Sequence, residues 1–308
     1  MISTSELEPL RIRHVLSTHE SQLEQSILSA MSQRRAAFSG SPRDGYEAMT
    51  AMTPLENGVS IETIDSGSVR GCWVRPANPS PGRALLFLHG GAYALGSAKG
   101  YCGFASQMTV RTGIATFVLD YSLAPEHRFP AAYNDTIAAI TWLESKGITQ
   151  LSLVGDSAGG GLALAALRRA DRGTLNVASV AVFSPWTDLS LTGASFSNPA
   201  THDPVFQPQI LANAATTYLG TADPTDGRAS PLHSVPDVLP PIAIQVGTDE
   251  LLFDDSTRYA AAAAQKGGEV RIELYEGLHH VFQRCVVELP AARKALDAAA
   301  AFVSAHWS

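Results

Sequence analysis

Within LSLVGDSAGGGLALAAL, Leu151 to Leu167, Ser157 has a glycine two positions away on each side, Gly155 and Gly159, where an apolar strand pattern gives way to an alanine-rich helical one. A serine hydroxyl becomes a nucleophile only when it is held in the open beside a base, and a sharp strand-to-helix turn does this. Glycines at both positions remove the Cβ atoms that would collide in such a turn, so Ser157 is expected at a strained positive φ. The N–H of Ala158, at the start of the helix, would then face negative charge developing beside Ser157.

Other chemically useful groups fall just past apolar runs. HGGA, His89 to Ala92, follows LLFL, and GTDE, which contains Asp249, follows IAIQV. EGLHHVF follows VRIELY and brings the adjacent pair His279 and His280. Open α/β sheets gather their ligands at such carboxyl ends of strands. Serine, acid, histidine is also one of the chain orders of the catalytic triad. The chemistry would be acyl transfer. Ser157 attacks a carbonyl carbon while a histidine takes its proton, and Asp249 orients the imidazole. The oxyanion would sit among the N–H groups of Gly91, Ala92 and Ala158, where losing one donor costs about 3 to 4 kcal/mol. No metal or organic cofactor is required. The glycines could instead cradle a phosphate, but the run lacks both the P-loop lysine and the GxGxxG order.

Positioning these groups takes a layered frame. Short apolar runs at Ala84 to Leu88, Ile114 to Leu119, Leu151 to Val154, Val177 to Phe183, Ile242 to Val246 and Val270 to Tyr275 predict strands buried on both faces of a parallel sheet. Val59 to Asp65 and Ser68 to Arg75, meeting at Ser66-Gly67, predict a hairpin. Helices are expected at Ala131 to Ser145, Gly159 to Ala170 and Asp255 to Lys266, the alternation of a doubly wound α/β fold. Residues 1 to about 45, with Leu16, Leu23, Ile27, Leu28 and Met31 at helical spacing, predict amphipathic helices. Asp188 to Leu239 is rich in loop formers, with one helical stretch at Gln209 to Leu219, and predicts an insertion that covers something.

Composition sets the outer limits. The 308 residues carry 22 Lys+Arg against 29 Asp+Glu, a net charge of −7, with no basic stripe, which disfavours nucleic acid and anionic membrane surfaces as partners. Three cysteines, Cys72, Cys102 and Cys285, form no CxxC and no even framework, which suits a reducing compartment. The amino end has no signal-peptide pattern, and no apolar run approaches the roughly 20 residues that span a bilayer, so a cytoplasmic location is expected. The late strand and helix offer an edge at which a second copy could pair as a homodimer.

Seven ordered motifs resemble the hormone-sensitive-lipase-like carboxylesterases, bacterial branch, of the α/β-hydrolase superfamily: HGGA, DYSLAPEHRFPAA, GDSAGG, SPWTDLS, SPL, GTDELL and EGLHHVF. The resemblance implies an α/β-hydrolase fold, a mostly parallel eight-stranded sheet flanked by helices. It also implies a helical cap made of residues 1–45 and an insertion at about 190–225 of a catalytic domain spanning 46–308. It implies Ser157, Asp249 and His280 as the triad, with Gly91, Ala92 and Ala158 as oxyanion donors. The family pattern GxxHxF falls on Gly277, His280 and Phe282, which selects His280 over His279 and leaves His279 as a pocket or surface residue. Asp254 and Asp255, on the following helix, are the rival acids. Members hydrolyse short to medium acyl esters, some of them lactones or aryl esters. Amide hydrolysis by the same triad and a non-catalytic small-molecule-binding role are the alternatives. The family's usual third glycine is Ala92 here, which keeps the N–H and implies a mild change in substrate range. His89 is expected to brace its loop, and Asp156, Glu126, Tyr121, Pro125 and Phe129 to hold neighbouring loops. Trp186 reads as core, while Tyr93, Phe206, Leu211 and Tyr218 are candidates to line or roof the pocket.

Overall fold

The computed structural model describes residues 7–169 and 174–307. Nine strands form one sheet: β1 (Leu10–His14), β2 (Val59–Asp65), β3 (Arg70–Pro76), β4 (Arg83–Leu88), β5 (Thr116–Leu119), β6 (Gln150–Asp156), β7 (Asn176–Phe183), β8 (Ile242–Asp249) and β9 (Val270–His279), in spatial order β1-β9-β8-β7-β6-β4-β5-β3-β2. β3 runs antiparallel to both β2 and β5, and every other pairing is parallel. Among the described residues eight α-helices accompany the sheet: α1 (Thr18–Ala37), α2 (Pro42–Thr50), α3 (Ala98–Thr112), α4 (Ala131–Ser145), α5 (Ser157–Ala166), α6 (Pro208–Leu219), α7 (Phe253–Gln265) and α8 (Pro290–Ala305).

The strands that carry the site are apolar on both faces because helices cover both. In β4, Leu86 and Leu88 pack toward α4, α5 and α7, while Leu85 and Phe87 pack toward α3 and α8. That alternation follows from the two-residue period of a strand. Full burial of a side chain such as Phe87 contributes about 1.5 to 3 kcal/mol, so each strand is fixed in register before any polar contact is counted.

The expected hairpin and six core strands are present with boundaries shifted by a few residues. The expected helix from Gly159 ends at Ala166, and Ala170 lies outside the described residues. The amino end differs from expectation, since it contributes a strand as well as helices. β1 adds a ninth strand parallel to β9, so the sheet is not eight-stranded. Leu10 and Ile12 alternate with Arg11 and Arg13; Arg13 pairs with Glu276 at 2.6 Å, and His14 bonds Glu273 at 2.9 Å while stacking on Tyr275 at 4.2 Å. β1 thereby covers the β9 edge that the sequence offered for pairing with a second copy. Position 45 falls inside α2.

α1 starts at a reciprocal cap between Ser17 and Glu20 and lays Leu23 and Ile27, with Leu16 just before it, against Tyr275, Leu278 and Phe282. The loop-rich segment after β7 is organised around buried carboxylates. Asp188 accepts from Ser190, Thr192, His233 and Arg258, and Asp255 of α7 accepts the N–H groups of Thr187 and Asp188 at 2.7 and 2.8 Å. Burial alone would raise the Asp188 pKa, but the bonds from Ser190, Thr192 and His233 hold it well below the usual carboxylate range. Among the described residues no helix is long and apolar enough to cross a membrane.

Candidate active site

Ser157 opens α5 directly after β6 and has φ +54°, the left-handed conformation expected of it. The flanking glycines are required by contact. A Cβ on Gly159 would lie 2.0 Å from the Leu88 carbonyl oxygen and 2.4 Å from that of His89, and one on Gly155 would lie 2.6 Å from the Gly159 carbonyl oxygen. The turn is therefore pressed against the end of β4, which delivers the HGGA loop. Ser157 Oγ lies 2.9 Å from His280 Nε2, and both residues are buried.

The carboxylate facing His280 belongs to Glu250, and Asp249 faces elsewhere. Glu250 Oε1 lies 3.4 Å from His280 Nδ1, and its Oε2 accepts the Ser184 hydroxyl at 2.7 Å. Ser184 Oγ in turn accepts the Val281 N–H at 3.2 Å, so one hydroxyl ties the acid to the histidine loop. Asp249 ends β8 opposite His279 and contacts Thr248 Oγ1 at 3.3 Å. The β8–β9 register shifts between Gly247 and Asp249, and successive residues at a strand end project to opposite sides, so when Glu250 meets His280, Asp249 turns away. The rivals serve the scaffold: Asp254 accepts the Ser195 N–H at 2.8 Å, and Asp255 holds Thr187 and Asp188.

Three consecutive residues of the HGGA loop have positive φ: Gly91 at +115°, Ala92 at +53° and Tyr93 at +61°. A Cβ on Gly91 would lie 2.2 Å from the Leu95 carbonyl oxygen, so only glycine fits there. The Gly91 carbonyl accepts from Ala94 and Leu95, and Asp156 accepts the Gly90 N–H at 2.9 Å and the Tyr101 hydroxyl at 3.1 Å. Arg43 of α2 reaches the carbonyls of Ala94 and Ala124, both at 3.0 Å, while pairing with Glu126. With these bonds made, the N–H groups of Gly91 and Ala92 find no acceptor among the described residues, and Ala158 lies in the first turn of α5, where no intrahelical acceptor exists. His89 braces this loop: its Nδ1 meets the Gly90 carbonyl at 2.7 Å and its ring stacks on Tyr121 at 4.2 Å. Burial lowers its pKa, which keeps the imidazole neutral with Nδ1–H as donor.

Phe206 and His280 meet as a T-shaped ring pair at 5.0 Å. Asp203 sets the Phe206 ring by accepting the Val205 and Phe206 N–H groups at 2.7 and 2.8 Å through Oδ1 and the Leu251 N–H at 2.8 Å through Oδ2. Arg35 of α1 holds the Val205 carbonyl at 3.2 Å. Tyr93 and Tyr218 stack at 3.9 Å, 6° from parallel, each 1% exposed, and the Trp186 ring lies 6.1 Å from Tyr93 while its backbone N–H donates to the Ser157 carbonyl and its indole N–H to the Asp188 carbonyl. Leu211 is buried in the same core.

Residues 85–284 match the model of a family with the alpha/beta hydrolase fold. The chain is 38% identical over 245 residues to an acetyl-hydrolase of Streptomyces hygroscopicus, covering 79% of this chain and 82% of that protein. It superposes on an esterase from the bacterial hormone-sensitive lipase family with a TM-score of 0.85 at 32% identity, covering 95% of this chain and all of that one. The chain belongs to the hormone-sensitive-lipase-like carboxylesterases. A structure of the esterase EstE5 soaked with p-nitrophenyl butyrate is also similar, with a TM-score of 0.83 at 33% identity over 95% of this chain and 99% of that one. Membership makes this chain a carboxylic ester hydrolase by class.

Sequence reasoning about this esterase missed Glu250, Ser184, Asp203 and the burial of His279. His279 is neither a pocket nor a surface residue. It is 2% exposed, with its Nδ1 2.6 Å from Glu24 Oε1 of α1 and its backbone N–H donating to the same oxygen at 3.2 Å. Glu250 was visible as the last letter of GTDE, next to the chosen aspartate; the Glu24 contact joins residues too far apart in the chain for any local pattern.

Two outcomes follow from these contacts. Asp203→Asn keeps an acceptor for the Phe206 turn but cannot accept the Leu251 N–H, so kcat/KM should fall about tenfold through misplacement near His280. Unchanged steady-state kinetics in the folded variant would remove Asp203 as a positioning residue. Burial works against charge on His279, but the bonds to Cys285 and Glu24 and the Glu24 charge outweigh it, and its pKa is pushed up to about 10. The unfolded value is about 6.5, so the stability contributed here is complete below about pH 6.5 and is lost as pH rises through about 10. In urea unfolding, the gap between the native chain and His279→Gln should shrink across that range; a gap constant from pH 6.5 to 10.5 would contradict it.

Proposed function

We propose that this chain is a serine carboxylesterase in which Ser157 is the nucleophile, His280 the general base and Glu250 the orienting acid. The observation that carries the reading is the 2.9 Å contact between Ser157 Oγ and His280 Nε2 at a positive-φ turn. Oγ attacks the ester carbonyl carbon as its proton passes to Nε2, and Glu250 stabilises the imidazolium. The oxyanion is received by the N–H groups of Gly91, Ala92 and Ala158. Collapse of the tetrahedral species breaks the bond to the alkoxide, which takes the proton from Nε2, and water repeats the cycle on the acyl-enzyme. This replaces the Asp249 assignment and keeps the other assignments from the sequence.

In this reading α1, α2 and the 190–225 segment form the cap, and the substrate is a small uncharged ester with a short acyl chain. Support for the short chain comes from Tyr93, which follows the HGGA loop directly and is buried against Tyr218 and Trp186. The names of the Streptomyces acetyl-hydrolase and the butyrate soak of EstE5 are consistent with it. Ala92, held at φ +53°, is the residue expected to tune the profile.

A fluorophosphonate probe should label Ser157 and leave Ser157→Ala blank. A panel of nitrophenyl esters beside matching anilides should show kcat/KM highest for about two to four acyl carbons, roughly tenfold lower by eight, and little anilide cleavage. A maximum at eight carbons or beyond, or anilides cleaved as fast as esters, would overturn the substrate reading.

A further inference from the structure

Beside His280 in the chain, His279 centres a second nucleophile–imidazole–carboxylate array. Cys285 ends the 3₁₀ turn Phe282–Cys285, and its Sγ lies 3.8 Å from His279 Nε2. The opposite nitrogen of that ring, Nδ1, lies 2.6 Å from Glu24 Oε1, and Glu24 Oε2 is buried with no hydrogen-bond partner among the described residues. Cys285 is half-buried, whereas Cys72 and Cys102 are buried in the core. A thiol becomes reactive when a cation stabilises its thiolate, and a carboxylate on the far nitrogen keeps the imidazole charged. The raised His279 pKa agrees with that geometry.

We propose that Cys285 is a reactive thiol, a modification site for small disulfides, and that the mixed disulfide formed there slows ester hydrolysis. Cys285 releases its proton to solvent, and its thiolate faces the Nε2–H of the His279 imidazolium. The thiolate attacks one sulfur of the disulfide, the new S–S bond forms as the old one breaks, and the second sulfur leaves as a thiolate with the electron pair. Cys285 packs against the same buried cluster as Leu16, Leu23 and Ile27, the side chains that seat α1 on Tyr275, Leu278 and Phe282, so the adduct competes with them for that surface. Displacing them separates Glu24 from His279, the residue before His280, and loosens the helix whose Arg35 holds the Val205 carbonyl beside Phe206.

The test uses the full chain and 4,4′-dithiodipyridine at pH 7. Released thiopyridone should count one thiol per chain in a fast phase at least about tenfold faster than glutathione treated alike. That phase should vanish in Cys285→Ser, which keeps its hydrolysis of p-nitrophenyl acetate, and should slow about tenfold in Glu24→Gln. If Glu24→Gln does not fold, His279→Gln serves for the same rate. The modified native chain should lose most of its hydrolysis and regain it with dithiothreitol, while treated Cys285→Ser is unaffected. A fast phase that survives in Cys285→Ser, a thiol no faster than glutathione, or full hydrolysis after modification would each overturn the proposal. The thiopyridone count is independent of ester cleavage, so its failure leaves the role of Ser157 untouched; only the loss of hydrolysis rests on that role.

Discussion

At the centre of this molecule the turn between β6 and α5 is pressed against the end of β4. A Cβ on Gly159 would sit 2.0 Å from the Leu88 carbonyl oxygen, closer than any methyl can come, so this packing exists only with glycine. Three consequences share that constraint. Ser157 is driven to φ +54°, the start of α5 faces the HGGA loop, and β4 and β6 stay in a parallel register set by their fully buried apolar faces. The strain at Ser157, of order 1 to 3 kcal/mol, is tolerated because a nine-stranded sheet fixes both flanks of the turn.

Around that fixed point the remaining groups are placed by carboxylates, with Asp156, Asp188, Glu250 and Asp255 buried and Asp203 half-buried. Asp156 holds Gly90 and Tyr101, Asp203 joins the Phe206 turn to Leu251, Asp255 and Asp188 fasten the segment after β7, and Glu250 bridges Ser184 and His280. A carboxylate taken out of water is costly unless donors meet it, so the donors that each of these has gathered make it a specific fastener. Several of them bond backbone N–H groups on segments distant in sequence, so the loops at the carboxyl ends of the strands are locked to one another as well as to the sheet. The amino-terminal segment joins the same scheme through Glu24, Arg35 and Arg43.

What was legible in the sequence follows from how each constraint is encoded. Backbone collisions leave glycines, so the elbow and the HGGA loop could be read directly, as could strands buried on both faces. The sequence pointed to Asp249 and passed over its neighbour Glu250, a carboxylate at the same strand end, because a shift of register after Gly247 decides which one faces His280. β1 was hidden because its alternation covers only Leu10 to Arg13 before the helical spacing of α1 begins. Glu24 and Asp203 act through contacts spanning hundreds and tens of residues respectively, which no local pattern reports.

The central claim is that the proton taken from Ser157 is handled by a His280–Glu250 pair, with Asp249 outside it. Steady-state hydrolysis of p-nitrophenyl acetate by Glu250→Gln and Asp249→Asn, measured side by side on folded protein, tests this most directly. A kcat lower by about three to four orders of magnitude is expected for Glu250→Gln, with Asp249→Asn within a few-fold of the native chain. The reverse order of effects would contradict it.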